Sequence, residues 1–519
     1  MSNSQQPGWL ETSKAFAHPR VVTMVFLGFS AGIPLLLIFS SLSLWLREAG
    51  IERSAVTFFS WAALGYSFKF VWAPLIDQLP VPGLTRVLGR RRAWMLVAQL
   101  SIIVAIVLMA SINPQTGSSG LTMMALAAVL LGFSSATQDI VIDAYRIESA
   151  GPELQALMSA TYIVGYRSAL IVAGAGSLFL ATWFGSTSEV YVYQAWQYTY
   201  WVMAACMLVG ILTTLIIQER GDRASLALIE SNADHARFLL MFVIAVAGFI
   251  GCFYLTSDIV GSAGVDLTEF LGSRHLAGFL IEFLRLAVAL GIAWVLVVIL
   301  VKTGVVRGEM VERSYLLPVR DFFARYGSTL GWLLLALVGL YRISDIVLGV
   351  ISNVFYYDLG YSKIEIAAVV KTFGVLMTII GGLLGGLLSM RFGVIRILFL
   401  GALLSAATNL LFMILATVGY DITWLYIVIS ADNLSAGLAS AAFIAFLSSL
   451  TNISFTATQY AIFSSLMTLL PKLLGGYSGT MVDAIGYSSF FLVTALMGIP
   501  VLVLIMLAAR RSQFSFRLA

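Results

Sequence analysis

Apolar residues along this chain do not alternate with polar ones but come in long runs of about twenty, the length that crosses a ~30 Å hydrocarbon layer at ~1.5 Å per residue. Polar breaks divide the runs into helices near 21–46, 55–79, 93–112, 120–144, 154–183, 196–217, 238–257, 275–301, 330–353, 364–389, 395–417, 422–449, 458–484 and 488–509. The pattern predicts an all-α polytopic membrane protein of fourteen spans.

The charges between the runs orient it. With sides alternating from the amino terminus, one set of connections carries twenty basic residues, among them Arg86, Arg90, Arg91, Arg92 and Arg146. The other set carries four: Arg47, Arg53, Arg274 and Lys363. Basic loops stay on the cytoplasmic side, so both termini are expected in the cytoplasm of a bacterial inner-membrane protein. The formal charge of +4 is therefore read as membrane orientation and not as a nucleic-acid surface. Only 11% of residues are charged, against roughly 25% in a soluble domain, while 60% are hydrophobic. Met1 to Arg20 is polar, which makes the first span the expected insertion signal. Cys206 and Cys252 both fall in spans, so no disulfide framework, Cys-based metal site or cofactor is expected.

Two charged stretches, Gln218 to Arg237 and Lys302 to Arg325, separate six spans, two spans and six spans. The expected domains are residues 1–218, a central linker with two extra helices at 219–329, and residues 330–519. Two six-helix halves with a helical insertion suit a transporter that holds its solute between the halves near mid-membrane. A single irregular bundle is the other architecture the pattern allows.

Candidate chemistry lies in ionisable groups away from the loops, since a charge at the centre of a span costs at least about 2.5–3.5 kcal/mol unless it faces a cavity or a partner. Lys69, Arg167, Arg342, Asp345 and Asp432 share one depth across both halves. They read as a polar central cavity or, alternatively, as ion pairs that hold the halves together. With Lys371, the cations outnumber the nearby acids, which suits a solute carrying carboxylates. Tyr66, Tyr162 and Tyr166 stand about one helical turn from Lys69 or Arg167, where rings can stack on sugar faces, although tyrosine in a helix is more often packing. Asp139 and Asp143 share one face of the fourth span. Asp143, at the cytoplasmic end, is expected to pair with the arginines of the 80–92 loop. Asp139, a turn deeper and beside Gln138, is the expected proton carrier, with Asp345 and Asp432 as further candidates. Glu282 and Arg285 are expected to neutralise each other within the central hairpin. No phosphate-binding glycine loop is present, so neither an enzyme nor an ATP-driven pump is expected. A channel stays open as an alternative to a carrier.

Asp77 at the end of the second span, followed by Gly89-Arg90-Arg91-Arg92, resembles the loop motif of the major facilitator superfamily, in which acid and arginines latch the cytoplasmic side shut. Asp77, Arg90, Arg91, Arg92 and Asp143 are the expected gate. The second half carries Arg391-Phe392-Gly393 and Arg396 but has Met390 where the acid would stand. Further stretches resemble the AmpG muropeptide permeases, with acetyl-coenzyme A transporters as more distant relatives. They are Phe68-Lys69-Phe70-Val71-Trp72-Ala73-Pro74-Leu75-Ile76-Asp77, Ser135-Ala136-Thr137-Gln138-Asp139-Ile140-Val141-Ile142-Asp143-Ala144, Gly165-Tyr166-Arg167, Tyr341-Arg342-Ile343-Ser344-Asp345, Val370-Lys371-Thr372-Phe373-Gly374 and Phe455-Thr456-Ala457-Thr458-Gln459-Tyr460. The resemblance implies a monomeric major facilitator fold and proton-driven import of N-acetylglucosaminyl-1,6-anhydromuramyl peptides during peptidoglycan recycling. Acetyl-coenzyme A and other anionic solutes are the rival substrates.

Overall fold

A computed structural model describes residues 14–51, 64–187, 190–219, 232–256, 267, 274–475 and 478–510. Every regular element among the described residues is helical, and eleven helices there are long and apolar enough to cross a membrane. The fourteen expected spans are compatible with this. The second, eighth and thirteenth appear as Leu64–Phe68 with its continuations, Arg274–Lys302 and Thr456–Gly475.

The helices used below are α1 Pro19–Ile38, α2 Leu64–Phe68, α3 Arg90–Ala110, α4 Ser118–Ser149, α5 Pro152–Ile171, α6 Tyr193–Cys206, α7 Asn232–Leu255, α8 Arg274–Lys302, α9 Leu317–Leu340, α10 Ile343–Asp358, α11 Gly374–Phe392, α12 Val394–Val418, α13 Ile422–Leu450, α14 Thr456–Gly475 and α15 Ser478–Leu496. Local chemistry sets several starts. Proline opens α1 and α5, where its missing N–H is no loss. The Asp421 carboxylate accepts from the N–H groups of Thr423 and Trp424 at 2.8 and 3.0 Å, capping α13. Gly89 ends the turn before α3 at φ +91°, and a Cβ there would lie 2.3 Å from the Glu219 carboxylate.

Two compact units divide the chain, one of Met1–Ala73, Pro80–Gly221 and Phe322–Ala519, the other of Pro74–Leu79 and Asp222–Asp321. In the first unit each half has its own apolar core. One is built on residues such as Trp45, Ile102 and Trp196, the other on Leu337, Phe412 and Phe446. Close approach inside a half depends on glycine: a Cβ on Gly165 of α5 would lie 1.8 Å from the Val25 carbonyl oxygen of α1.

Across the halves, α5 packs on α11 and α13, while α14 packs on α2, its 3-10 continuation Lys69–Val71 and α4. The fifth span of each half thus meets the second span of the other, as duplication with approximate twofold symmetry produces. The α5 seam is tight near the start of α5, where Ala156 and Ala160 abut Gly386, and where Ala160, Ile163 and Ala441 form a small apolar cluster. One turn further along α5, Tyr166 and Arg167 are only half-buried, and Lys371 opposite is exposed. The halves are therefore shut on the side where α1 and α5 begin.

In the second unit α7 packs on α8, where the Leu296 side chain fills the space beside Gly248. Buried Asp234 there receives Arg237 at 3.8 Å and Arg307 at 3.5 Å. The Glu282 side chain lies outside the described residues, and with it the expected Glu282–Arg285 pair. Arg285 donates to Thr256 Oγ1 at 3.2 Å.

Candidate functional site

Helices spanning a bilayer keep their backbone paired and tolerate irregular turns only where protein or a cavity receives them. The four expected cations stand at or near such turns. Lys69 lies in the 3-10 turn Lys69–Val71, and Arg342 occupies the break between α9 and α10, at φ −96°, ψ 9°. Arg167 comes shortly before the π turn Val172–Gly176, and Lys371 lies inside the π turn Ile366–Phe373. The two π turns interrupt the same pair of helices that seals the shut side.

On the amino-terminal half, one face of α4 carries Asp139, Asp143 and Arg146, the last of them fully buried. Asp143 stands between two cations. Arg146 Nη2 donates to its Oδ1 at 3.2 Å, and Lys69 Nζ lies 4.0 Å from its Oδ2. Asp139 Oδ1 is buried with no hydrogen-bond partner, beside Gln138, whose Nε2 donates to Ser30 Oγ at 2.7 Å. The Tyr66 hydroxyl donates to Ser135 Oγ at 2.6 Å, and the Tyr162 and Tyr166 rings sit 6.0 Å apart. Asp139 interacts electrostatically with Tyr66, Tyr162 and Tyr166, so these side chains form one polar cluster.

On the carboxy-terminal half the charges are closed on one another. Arg342 Nε lies 3.3 Å from Asp345 Oδ2, its Nη1 donates to Ser440 Oγ at 3.0 Å, and Ser405 Oγ donates to Asp345. Asp432 on α13 feels both Asp345 and Arg342 and is bonded by Thr408. Arg167 and Arg342 feel one another across the halves. Among the described residues no carboxylate lies within 4.0 Å of Arg167. Arg342 is already paired with Asp345, so Arg167 is the cation of the two whose charge is left open to an anion.

Two expectations need correcting. Asp143 pairs with Lys69 and Arg146, not with the arginines of the 80–92 loop. Those arginines are engaged elsewhere: Arg91 clasps Glu148 through Nε and Nη2, at 2.6 Å from Nη2, and Arg92 donates to the carbonyls of Thr214 and Leu215 at 2.9 and 2.7 Å. The Glu219 carboxylate accepts from the N–H groups of Arg91 and Arg92 at the start of α3. Arg146, counted among the loop cations, is instead inside the protein because α4 runs on to Ser149. Its spacing of seven from Asp139 and three from Asp143 was the available signal. Lys371 is exposed, apart from the cluster, and Asp77 is buried on the short helix Ala73–Gln78 of the second unit.

Comparison with known proteins decides what this cluster belongs to. A family profile described as Acetyl-coenzyme A transporter 1 matches residues 20–218. The putative transporter AmpG 4 of Rickettsia conorii is 28% identical over 497 residues, covering 96% of this chain and 98% of that protein. The anhydromuropeptide permease of Escherichia coli K12 is also 28% identical, over 97% of this chain and 82% of its own length. Over nearly its whole length the chain is thus similar to AmpG-type permeases. Solved structures agree on the fold. A double-tryptophan mutant of XylE matches with a TM-score of 0.59 at 12% identity, over 97% of this chain and 96% of that one. FucP in its outward conformation matches with a TM-score of 0.58 at 11% identity, over 95% and 99%. The chain is thus a multi-pass membrane transporter, and its charged cluster lies between the two halves of a major facilitator fold.

Proposed function

We propose that the chain imports N-acetylglucosaminyl-1,6-anhydromuramyl peptides from periplasm to cytoplasm by alternating access, coupled to protons, as a carrier and not an enzyme. The observation that carries this reading is the pair Arg167 and Arg342, which interact electrostatically across the halves, with no carboxylate within 4.0 Å of Arg167 among the described residues. Peptide carboxylates of the solute would lie between them, and Tyr66, Tyr162 and Tyr166 would flank the sugars. Gln138 and Lys69 complete the amino-terminal wall, and exposed Lys371 meets the solute at the entrance. Asp139 is the proton carrier in this reading, because its buried oxygen lacks a partner that would fix its charge. Asp345 and Asp432 are the reserve candidates.

With both termini in the cytoplasm, the shut side is the cytoplasmic one and the cavity opens to the periplasm. Arg90, Arg91 and Arg92 brace that shut side. A second reading, transport of acetyl-coenzyme A or another anionic solute, draws on the profile match over residues 20–218. Uptake into proteoliposomes separates the two. Purified anhydromuropeptide should accumulate under an inward proton gradient and acetyl-coenzyme A should not compete. Accumulation of acetyl-coenzyme A alone would reverse the assignment.

A further inference from the structure

Among the described residues of the cluster, Arg146 is the cation that hydrogen-bonds to both halves. Its Nη1 donates to Ser448 Oγ on α13 at 2.7 Å and to Gln155 Oε1 and Ser159 Oγ on α5, each at 3.2 Å. Its guanidinium carbon sits 5.3 Å from the centre of the Tyr460 ring on α14. One nitrogen with two hydrogens thus serves three acceptors, while Nε has no partner and the side chain is fully buried. The guanidinium is thus over-subscribed at Nη1, where Ser448 of the opposite half competes with Gln155 and Ser159 of its own, and under-subscribed at Nε. Among the described residues its only carboxylate within ion-pair distance is Asp143, which Lys69 shares at 4.0 Å, the outer limit of an ion pair.

We propose that Lys69, Asp143 and Arg146 form a transmission that turns occupancy of the cavity into opening of the shut side. While Lys69 shares Asp143, that carboxylate holds Arg146 weakly and the guanidinium stays on Ser448 and Tyr460, bolting the halves. A solute carboxylate that draws Lys69 away leaves Asp143 wholly to Arg146. The guanidinium then shifts along α4 toward Asp143 and off the opposite half, and the bolt is withdrawn. Arg146 acts here as a positioning residue that touches no solute. The inference rests on the reading that a solute carboxylate reaches Lys69.

Two substitutions give opposite signs. Lys69→Met removes the competitor for Asp143 and should open the shut side even without solute. Asp143→Asn removes the pull on Arg146 and should keep that side shut. A network that merely stabilises the fold predicts loosening in both. The readout is the labelling rate of a cysteine placed at Ala156, beside Gly386 in the seam, in the full-length chain lacking Cys206 and Cys252. Detergent solution lets the reagent approach from either side, so conformation alone limits access.

Labelling should rise about tenfold for Lys69→Met, fall below the parent for Asp143→Asn, and rise two- to fivefold for Ser448→Ala, which deletes a single bond across the halves. Should Lys69→Met fold poorly, Lys69→Gln carries the same prediction. Changes of the same sign for the lysine and aspartate variants, or no response to Ser448→Ala, would overturn the transmission. None of these arms contains solute, so they are independent of the muropeptide assignment. A last arm adds anhydromuropeptide, which should speed labelling of the parent and not of Asp143→Asn. If the solute-free signs hold and only this acceleration is missing, the transmission stands and the proposed solute fails.

Discussion

The two halves of this transporter both carry charge at mid-membrane, and they satisfy it in different ways. In the carboxy-terminal half, Arg342 and Asp345 lie 3.3 Å apart, and Ser440 and Ser405 occupy further valences. In the amino-terminal half, Asp139 has an unpartnered buried oxygen, Lys69 stands 4.0 Å from its carboxylate and Arg167 has none nearby among the described residues. A closed pair resists change, because removing one partner leaves the other charge partly desolvated and without compensation. An open valence is one that a proton or a solute can fill. On the function proposed above, the carboxy-terminal cluster would anchor one wall of the cavity and the amino-terminal cluster would do the exchanging.

The sharpest way to break the contrast is Asp139→Asn. Proton-driven accumulation should be abolished while counterflow of labelled solute survives and thermal stability stays near the parent. Accumulation that still follows an imposed pH gradient would move the proton to Asp345 or Asp432 and reverse the roles of the halves. Asp345→Ala should behave in the opposite way. Its melting temperature should fall by a few degrees, in keeping with the loss of a half-buried pair, while uptake drops only in part and stays proton-driven.

A control on the outer rim of the carboxy-terminal half should show the smallest effect. The Tyr420 hydroxyl donates to Glu365 at 2.6 Å, and the Ser362 N–H and hydroxyl each donate to it at 2.8 Å. These bonds, Tyr420 first, hold the Glu365 carboxyl below its ordinary range. Because the folded value is the lower one, whatever stability the group adds is present above the unfolded value of about 4.3 and is lost as pH falls below it. Glu365→Gln should leave uptake at neutral pH unchanged and slightly flatten the acid limb of a stability profile. A large loss of uptake would place this rim in the transport cycle.

Much of this was legible in the sequence, because a bilayer imposes a length on apolar runs and a high cost on charges within them. Lys69, Asp139, Arg167, Arg342, Asp345 and Asp432 stood out for that reason alone. Arg146 did not, since a helix end drawn at residue 144 turned a buried arginine into a loop cation, while α4 continues to Ser149. The break at Arg342 was less legible: no proline stands there, and Gly339, about one turn earlier, is the only local signal. Partner choice was least legible. Whether Asp143 meets the loop arginines or Lys69 depends on how span 2 lies against α4, where Trp72 Nε1 donates to Thr137 Oγ1 at 3.1 Å. Sequence spacing within one helix says nothing of that.

The central claim is that solute carboxylates lie between Arg167 and Arg342, and calorimetric titration of purified protein tests it most directly. Anhydromuropeptide and the same anhydro-disaccharide lacking its peptide are titrated into the parent and into Arg167→Met. The account predicts that the parent binds the peptide-bearing ligand more tightly. The substitution should cost that ligand about 2–5 kcal/mol, thirtyfold or more, and leave the disaccharide nearly unaffected. Equal losses for the two ligands, or no loss for either, would contradict it.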